Sequence, residues 1–453
     1  MSIIGFSEGF HDAAICQVKN GNILHASHAE RYSKIKNDRW LHKKQISAVG
    51  LKGLSNNQKI VYHEKTWLKN TRRLYTLKPW KNNKTSLQYD KSFRHHQSHA
   101  AAGYYTAPFD DCNIIVIDSI GEWDTVSIWD NMKKIKSWKY PYSLGLLYSA
   151  ITQYIGLKPN EDEYITMGMA AFGEPTVDLE YLLWENNHFG IRKISTELSM
   201  ASKEDIAASV QALYEKKFLE LVDMCPKKNL VIMGGCALNC VANSKVKNKN
   251  IWIMPSPGDA GNSLGAAALV EKKKLKWKHP YLGHNIRREV NVSEVVEHLI
   301  SNHYCGIANG RAEFGPRALG NRSLIADPRR DIKDTVNEIK RRQKFRPFAP
   351  AILEEYANEY FEGPMNRYMQ FVAKAKYEYQ DDYSSVTHVD GTARVQIVEK
   401  NNISILRPIL EEWYEKTGCP MLLNTSLNIK GQPIVNDWDD AKKFMEKYNV
   451  AVF

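Results

Sequence analysis

The sequence has no apolar run approaching the ~18 residues that a membrane-spanning helix needs, and its opening segment, MSIIGFSEGF, has no basic cluster of the kind that begins a secretory signal. Both absences lead us to expect a cytoplasmic protein with no membrane partner. Cysteine is sparse: the seven residues (Cys16, Cys112, Cys225, Cys236, Cys240, Cys305, Cys419) are odd in number, scattered and without a CxxC pair. Neither a disulfide framework nor a zinc ribbon is signalled, and reduced thiols are expected. There is no G-x-x-x-x-G-K-[ST] phosphate loop and no low-complexity segment. Acid is in deficit, with 62 Lys and Arg against 51 Asp and Glu and a formal net charge of +11. That balance favours association with polyanions and makes nucleic acid a candidate partner, while saying nothing about fold.

At 453 residues, 43% of them hydrophobic, the chain buries a large core and is expected to divide into at least two domains. The segment Ile3 to His25 reads as three short strands, IIGF, AAICQV and NILHAS, joined by turns at Gly9 to Asp12 and Asn20-Gly21. From Asn113 to Trp138 the plan repeats: apolar strand, acidic turn, strand, polar turn, strand. A helical pattern follows from Lys203 to Met224, then strand, glycine turn and helix at LVIMGGCALN and IWIMPSPGDAGNSLGAAAL. Duplicated meanders followed by helices and glycine turns predict an α/β, actin-like (ASKHA), two-lobed domain over residues 1–275. The basic connector EKKKLKWKHPYLG, Glu271 to Gly283, marks a boundary. Beyond it, over 284–453, strands YCGIAN, SLIAD and ARVQIV alternate irregularly with helices such as Asp331 to Arg342, which predicts an α+β domain.

The sharpest chemical feature is HHQSH. On a helix His95 and His99 stand four apart and share a face, an arrangement that lets two imidazoles bind one metal, while His96 points elsewhere. Asp118 ends the strand IIVID and Asp259 lies in PSPGDAG, both where strands of an actin-like domain deliver ligands to the cleft between its lobes. Two imidazoles and two carboxylates suit Fe(II), Mn(II) or Zn(II) without discriminating among them. Gly234-Gly235 and Gly258 to Gly261 precede helices and are candidates to offer backbone N–H groups to phosphates, although glycine pairs also make packing turns.

Ten ordered motifs, among them GFSEGFHDAAI, HHQSHAAAGYY, EYITMGMAAFG, GRAEFGPRALGNRS, FRPFAP, THVDGTARVQ and TGCPMLLNTSLNIKGQPIV, run nearly the whole length of the chain. In them the sequence resembles the carbamoyltransferases that modify nodulation factors and aminoglycoside antibiotics. The resemblance implies an actin-like N-terminal domain similar to the tRNA threonylcarbamoyl transferase, with His95, His99, Asp118 and Asp259 on the family's iron-ligand positions. It implies a YrdC-like C-terminal domain, similar to carbamoyladenylate synthases. That domain would join carbamoyl phosphate and ATP, with Mg(II) as a companion of ATP, and release phosphate and pyrophosphate. The N-terminal domain would then pass the carbamoyl group to a hydroxyl.

The residue chemistry suits this reading, because joining two phosphate-bearing substrates needs several cations. Lys340, Arg346 and Arg394 are the expected catalytic cations, with Arg311, Arg317, Arg322, His388, Thr392, Asn424 and Ser426 as nucleotide and phosphate contacts. In the N-terminal domain His11 and Asp12 are expected near the acceptor hydroxyl, and Glu122, Gly234, Gly235 and Asn239 near the nucleotide.

The chain is shorter than usual members, mostly in the N-terminal domain, so the acceptor is where carry-over is weakest. Between Lys65 and Arg94, Lys65, Lys69, Arg72, Arg73, Lys78, Lys81, Lys84, Lys91 and Arg94 face a single acid, Asp90, and are interleaved with Trp67, Tyr75, Trp80, Tyr89 and Phe93. Cations and aromatics so mixed suit a nucleic-acid track, and we expect a hydroxymethylated base in DNA, such as 5-hydroxymethylcytosine, as acceptor. The competing readings are a small-molecule hydroxyl (sugar, antibiotic or nucleoside), a threonylcarbamoyl-type enzyme, and a non-catalytic nucleic-acid-binding protein. An oligomer is compatible with the sequence and not specified by it.

Overall fold

Burial dictates the composition of the central strands. In β1 (Ser2–Ser7) every residue from Ile3 onward is buried, and all five residues of β6 (Asn113–Ile117) are buried as well, as expected of strands covered on both faces. Each centres a five-stranded sheet. The first also contains β2 (Ala14–Lys19), β3 (Asn22–His28), β4 (Gln58–Tyr62) and β5 (Lys91–Ser92), in the order β3-β2-β1-β4-β5. The second adds β7 (Asp124–Asp130), β8 (Lys133–Lys139), β9 (Asn229–Met233) and β10 (Asn250–Trp252), in the order β10-β9-β6-β7-β8. In both, the central strand is antiparallel to the second strand and parallel to the fourth. The two sheets therefore repeat one plan, the duplication read from the repeated meanders. The second sheet ends at β8, whose Lys133, Lys136 and Lys139 are exposed, a charged edge that discourages pairing with other chains.

The coordinates are a computed structural model that describes residues 2–51, 58–82, 84–185 and 190–453. The chain forms two compact units, Met1–His25 with Arg39–Trp277, and Ala26–Asp38 with Lys278–Phe453. No feature of composition marks the excursion of Ala26–Asp38.

The second unit is α+β. Its main sheet contains β12 (Tyr304–Ala308), β14 (Arg322–Ala326), β20 (Met421–Ser426), β15 (Ala349–Leu353) and β19 (Gln396–Val398), in that order. The pairings are antiparallel except for β15 with β19. The pair β11 (Tyr281–Ile286) and β13 (Gly310–Glu313) and the short sheet β16 (Phe361–Glu362), β17 (Ala373–Ala375) and β18 (Thr392–Ala393) complete it. The core closes around Trp413, fully buried on the helix Leu406–Thr417. Two expectations need correction. ARVQIV is not one strand, because the chain leaves the short sheet after Ala393 and joins the main sheet at Gln396. The helix expected from Asp331 to Arg342 spans only Lys333–Ile339. Among the described residues, no helix is long and apolar enough to cross a membrane.

Candidate metal centre and adjoining cavity

The helix His95–Thr106 holds the histidines deep in the first unit. Its Ala100, Ala101 and Ala102 are fully buried, and small side chains let its neighbours approach. The helix Asn262–Glu271 comes so near that a Cβ added to Gly265 would lie 1.8 Å from the Ser98 carbonyl oxygen. Glycine is thus required there to bring the loop that carries Asp259 beside the histidines. At the N-terminus of the histidine helix, Glu122 Oε1 accepts the backbone N–H of His95 at 3.3 Å and of Lys65 at 2.6 Å. A carboxylate in this position suits the helix dipole. Through Oε1 the side chain therefore positions the histidine helix.

His95, His99, Asp118 and Asp259 converge. One ligand atom from each lies within 4.8 Å of the others. His95 Nε2 is 2.9 Å from Asp118 Oδ2 and 3.3 Å from Asp259 Oδ1, and His99 Nε2 is 3.5 and 3.4 Å from the same atoms. His96 points away, as expected, with Nδ1 at 2.7 Å from Ser127 Oγ. Burial disfavours a charged His95, but the carboxylates of Asp259 and Asp118 override it and raise its pKa well above the ordinary range. Burial likewise opposes charge on Asp118 and Asp259, and the imidazoles hold both carboxylates well below their usual range.

These residues fit a divalent cation. His99 Nδ1 lies 3.0 Å from the Pro257 carbonyl and must donate to it, so the lone pair of Nε2 is left for the cluster. Asn262 Nδ2 stands 3.0 Å from that same Nε2, while Asn262 Oδ1 has no partner among the described residues. The opposite amide orientation would present the oxygen as a further donor. Two nitrogens and two carboxylate oxygens suit Fe(II), Mn(II) or Zn(II).

A cavity of about 100 Å³ opens beside the cluster, lined by His95 and Asp259 and by His11, His63, Glu64 and Arg72. His11 Nδ1 bonds Asp12 Oδ2 at 2.9 Å and its Nε2 stands 3.9 Å from Asp259 Oδ2. Desolvation works against its charge, yet the bond and charge of Asp12, then Asp259 and Asp118, lift its pKa to about 9. His63 was missed in the sequence. It follows β4, is 3% exposed, and neither ring nitrogen has a partner among the described residues. Burial, the largest influence, lowers its pKa to about 4, with His95 adding to the effect and Glu64 opposing it. The signal available was its place one residue beyond β4, whose other end-of-strand neighbours reach the same cavity.

The glycine turn and Asn239 serve packing. A Cβ on Gly234 (φ +94°) would meet the Ile117 carbonyl oxygen at 2.0 Å, and the Gly234 N–H donates to Pro257 O at 2.9 Å. It is therefore unavailable to a phosphate, which corrects the nucleotide contact expected of Gly234. Gly235 lies against Asp118, where a Cβ would stand 3.4 Å from Oδ1. Asn239 Oδ1 caps the helix Cys240–Ser244 through Ala242 N at 3.0 Å, and its Nδ2 donates to Gln211 Oε1 at 2.9 Å. Both ends being engaged, it is a cap and not the expected nucleotide ligand.

In the second unit Lys340 and Ser426 come together: Lys340 Nζ donates to the Ser426 carbonyl, to Ser426 Oγ at 3.3 Å and to Asn428 O at 3.0 Å. Burial, then repulsion from Arg342 and Arg346, holds the ammonium well below its ordinary pKa. Asn424 Nδ2 donates to Gln396 Oε1 at 2.6 Å and to Ala318 O at 3.2 Å, whereas its Oδ1, like Arg394 Nε, is buried without a partner among the described residues. His388 and Thr392 flank Asp390: His388 Nδ1 is 3.4 Å from Oδ1 and Thr392 Oγ1 donates to it at 2.7 Å. Arg317 and Arg346 are partly exposed. Arg311 donates to the carbonyls of Gly283 and Leu282. Arg322 is the clear correction: wholly buried, its guanidinium bonds the carbonyls of His284, Asn309, Gly310, Asn321 and Asn436. With all its donors taken it ties strands together and binds no phosphate.

Residues 45–189 and 183–268 match the family described as Carbamoyltransferase N-terminus, and residues 296–453 match Carbamoyltransferase C-terminus. "Uncharacterized protein sll1178" of Synechocystis is 31% identical over 97% of this chain and 93% of its own length. "Nodulation protein NolO" of Bradyrhizobium diazoefficiens is 30% identical over 77% of this chain and 75% of its own. Among solved structures, an activator of 2-hydroxyisocaproyl-CoA dehydratase from Clostridium difficile aligns over 60% of this chain and 95% of its own at 17% identity, with a TM-score of 0.41, too low to bear on the fold. The family matches span both units, and with them the chain belongs to the carbamoyltransferase family of enzymes.

Proposed function

We propose that this chain is an ATP-dependent O-carbamoyltransferase whose acceptor is the hydroxyl of a small molecule. In this reading the second unit is YrdC-like and forms carbamoyladenylate from carbamoyl phosphate and ATP, with Lys340, Arg346 and Arg394 as its phosphate-binding cations. The first unit performs the transfer, with Fe(II) on His95, His99, Asp118 and Asp259. The observation that carries the reading is the small cavity that shares His95 and Asp259 with the cluster.

The bound metal would supply a Lewis acid that polarises a carbonyl oxygen. The protein's own groups supply the rest. The acceptor oxygen attacks the carbamoyl carbon, an O–C bond forms, the bond from that carbon to the adenylate oxygen breaks, and AMP leaves. The proton from the hydroxyl goes to His63, which burial keeps neutral and therefore able to accept it. His11, kept cationic by Asp12, donates a hydrogen bond to negative charge that develops in the cavity.

A second reading, a hydroxymethylated base in nucleic acid, draws on Trp67 and Trp80, more than half and half exposed, and on exposed Lys81, Lys84, Lys91 and Arg94. It stands second because Lys69, Arg72, Arg73 and Lys78, the cations of the basic stretch nearest the cluster, line the cavity. Phe93 is buried and Tyr89 stacks on Tyr62 with centroids 5.2 Å apart.

The test is anaerobic incubation with Fe(II), ATP, carbamoyl phosphate and a panel of sugars, nucleosides and DNA containing 5-hydroxymethylcytosine. AMP release and products heavier by one carbamoyl group are followed by mass spectrometry. Carbamoylated small molecules at rates indifferent to salt are expected. Salt-sensitive modification of DNA would instead establish the second reading, and failure to form AMP would overturn both.

A further inference from the structure

Four cations share the lining of the cavity. Lys69, Arg72, Arg73 and Lys78 line it together with His63 and Asp259. The acids that share the cavity are already engaged. Glu64 accepts from Lys69 Nζ at 3.0 and 3.1 Å and from Tyr62 OH at 3.2 Å, and Asp259 belongs to the cluster. Glu8 accepts from Ser86 N at 2.5 Å, Ser86 Oγ at 2.6 Å and Leu41 N at 3.3 Å.

Arg72 is 8% exposed and donates from Nη1 to the Gly121 carbonyl at 2.9 Å, and Arg73 donates from Nε to Pro79 O at 3.1 Å. Burial depresses Arg72 to about 10 against the opposing charge of Glu64, and Arg73 adds to the depression. Lys78 is lowered by burial, then by repulsion from Arg73 and Arg72. Like charges confined in this way are relieved when an anion enters between them. A cavity of about 100 Å³ admits a phosphate or carboxylate group and excludes a duplex.

We propose that Arg72, Arg73 and Lys78 bind an anionic group, phosphate or carboxylate, carried by the acceptor, so that its hydroxyl is presented to His63 in the same cavity. The inference rests on the transferase reading above and specifies its acceptor as a small anionic alcohol. It gives part of the basic stretch a task within a binding site, and it accounts for a buried guanidinium whose hydrogen bond goes to a backbone carbonyl, that of Gly121.

Inorganic phosphate is the probe, titrated calorimetrically into the full-length protein, with and without saturating AMP. The proteins compared are the wild type, Arg73→Gln with Lys78→Gln, Lys78→Gln alone, and a surface control, Lys81→Gln with Lys84→Gln. Loss of charge-assisted contacts should weaken phosphate binding roughly tenfold in the double variant and by a smaller factor in the single one. The control should match the wild type, and AMP should not displace the phosphate whose binding the double variant weakens. Identical titrations for wild type and double variant, or no phosphate binding by the wild type, would overturn the proposal. So would displacement by AMP of the phosphate whose binding the double variant weakens, which would assign the cations to the phosphate of the nucleotide. AMP formation from ATP and carbamoyl phosphate by the wild type is followed in parallel. Its absence sinks the transferase reading, whereas the difference between the wild-type and double-variant titrations reads the cavity, so the two failures are distinguishable.

Discussion

The Nε2 atoms of His95 and His99 face each other 3.1 Å apart, a separation that two neutral imidazoles hold only with a proton or a cation between them. With Asp118 and Asp259 closing the other sides, the wild type is expected to retain a divalent metal through desalting after anaerobic loading with Fe(II), Mn(II) or Zn(II). His95→Ala and Asp259→Asn should each weaken retention on the order of 100-fold or more. Metal content by mass spectrometry decides it, and variants that hold as much metal as the wild type would show that the four side chains are not its ligands.

Gly265→Ala tests the close approach of the helices. The added carbon would lie 1.8 Å from the Ser98 carbonyl oxygen, so the backbones must separate, at about 1–3 kcal/mol or more. The expected result is a lower thermal midpoint together with weaker metal retention, since the same contact sets the distance from Asp259 to the histidines. An unchanged midpoint would mean the helices part freely.

His63 predicts an acid-side loss of stability. Its imidazole titrates near 6.5 when unfolded and near 4 when folded, so the unfolded chain takes up the proton first as pH falls. The contribution of neutral His63 is complete above about pH 6.5 and lost as pH falls toward 4, about 3 kcal/mol in all. His63→Phe should show a flatter stability profile over that window in denaturant melts. Parallel profiles for the two proteins would refute the assignment.

Arg322 and Lys340 separate structure from chemistry. Arg322→Met strips a donor from five carbonyls, those of Asn321 and Asn436 on buried residues, and a destabilisation of about 3 kcal/mol is expected in chemical unfolding. Lys340→Met leaves the Ser426 and Asn428 oxygens short of one donor, about 1–3 kcal/mol, yet AMP formation should fall to background. Retained AMP formation in a folded Lys340→Met protein would remove Lys340 from the catalytic set.

Much of this was legible along the chain because the relevant patterns are local. Helical spacing put His95 and His99 on one face, and repeated meanders announced two sheets of one order. Illegible were the features set by distant partners. Arg322 looks like a phosphate ligand in GRAEFGPRALGNRS, and only the return of Asn436 and His284 around it shows that its donors are spent. Asn239 and Gly234 misled for the same reason: their partners, Gln211 and Pro257, lie 28 residues away in one case and in a separate loop in the other. The basic stretch was read as a single surface, whereas folding divides it, with Lys69, Arg72, Arg73 and Lys78 lining the cavity and Lys81, Lys84, Lys91 and Arg94 exposed.

By itself the sequence determined the family, the doubled strand plan and the pairing of His95 with His99, because these follow from motif content and short-range period, while Asp118 and Asp259 joined the pair through the family resemblance. Tertiary structure alone decided which polar groups are left over for a ligand. Whether a donor or acceptor is satisfied depends on every group that folding brings within hydrogen-bond distance, and in a buried site that count separates a structural tie such as Arg322 from an imidazole such as His63 that has no partner in the described fold.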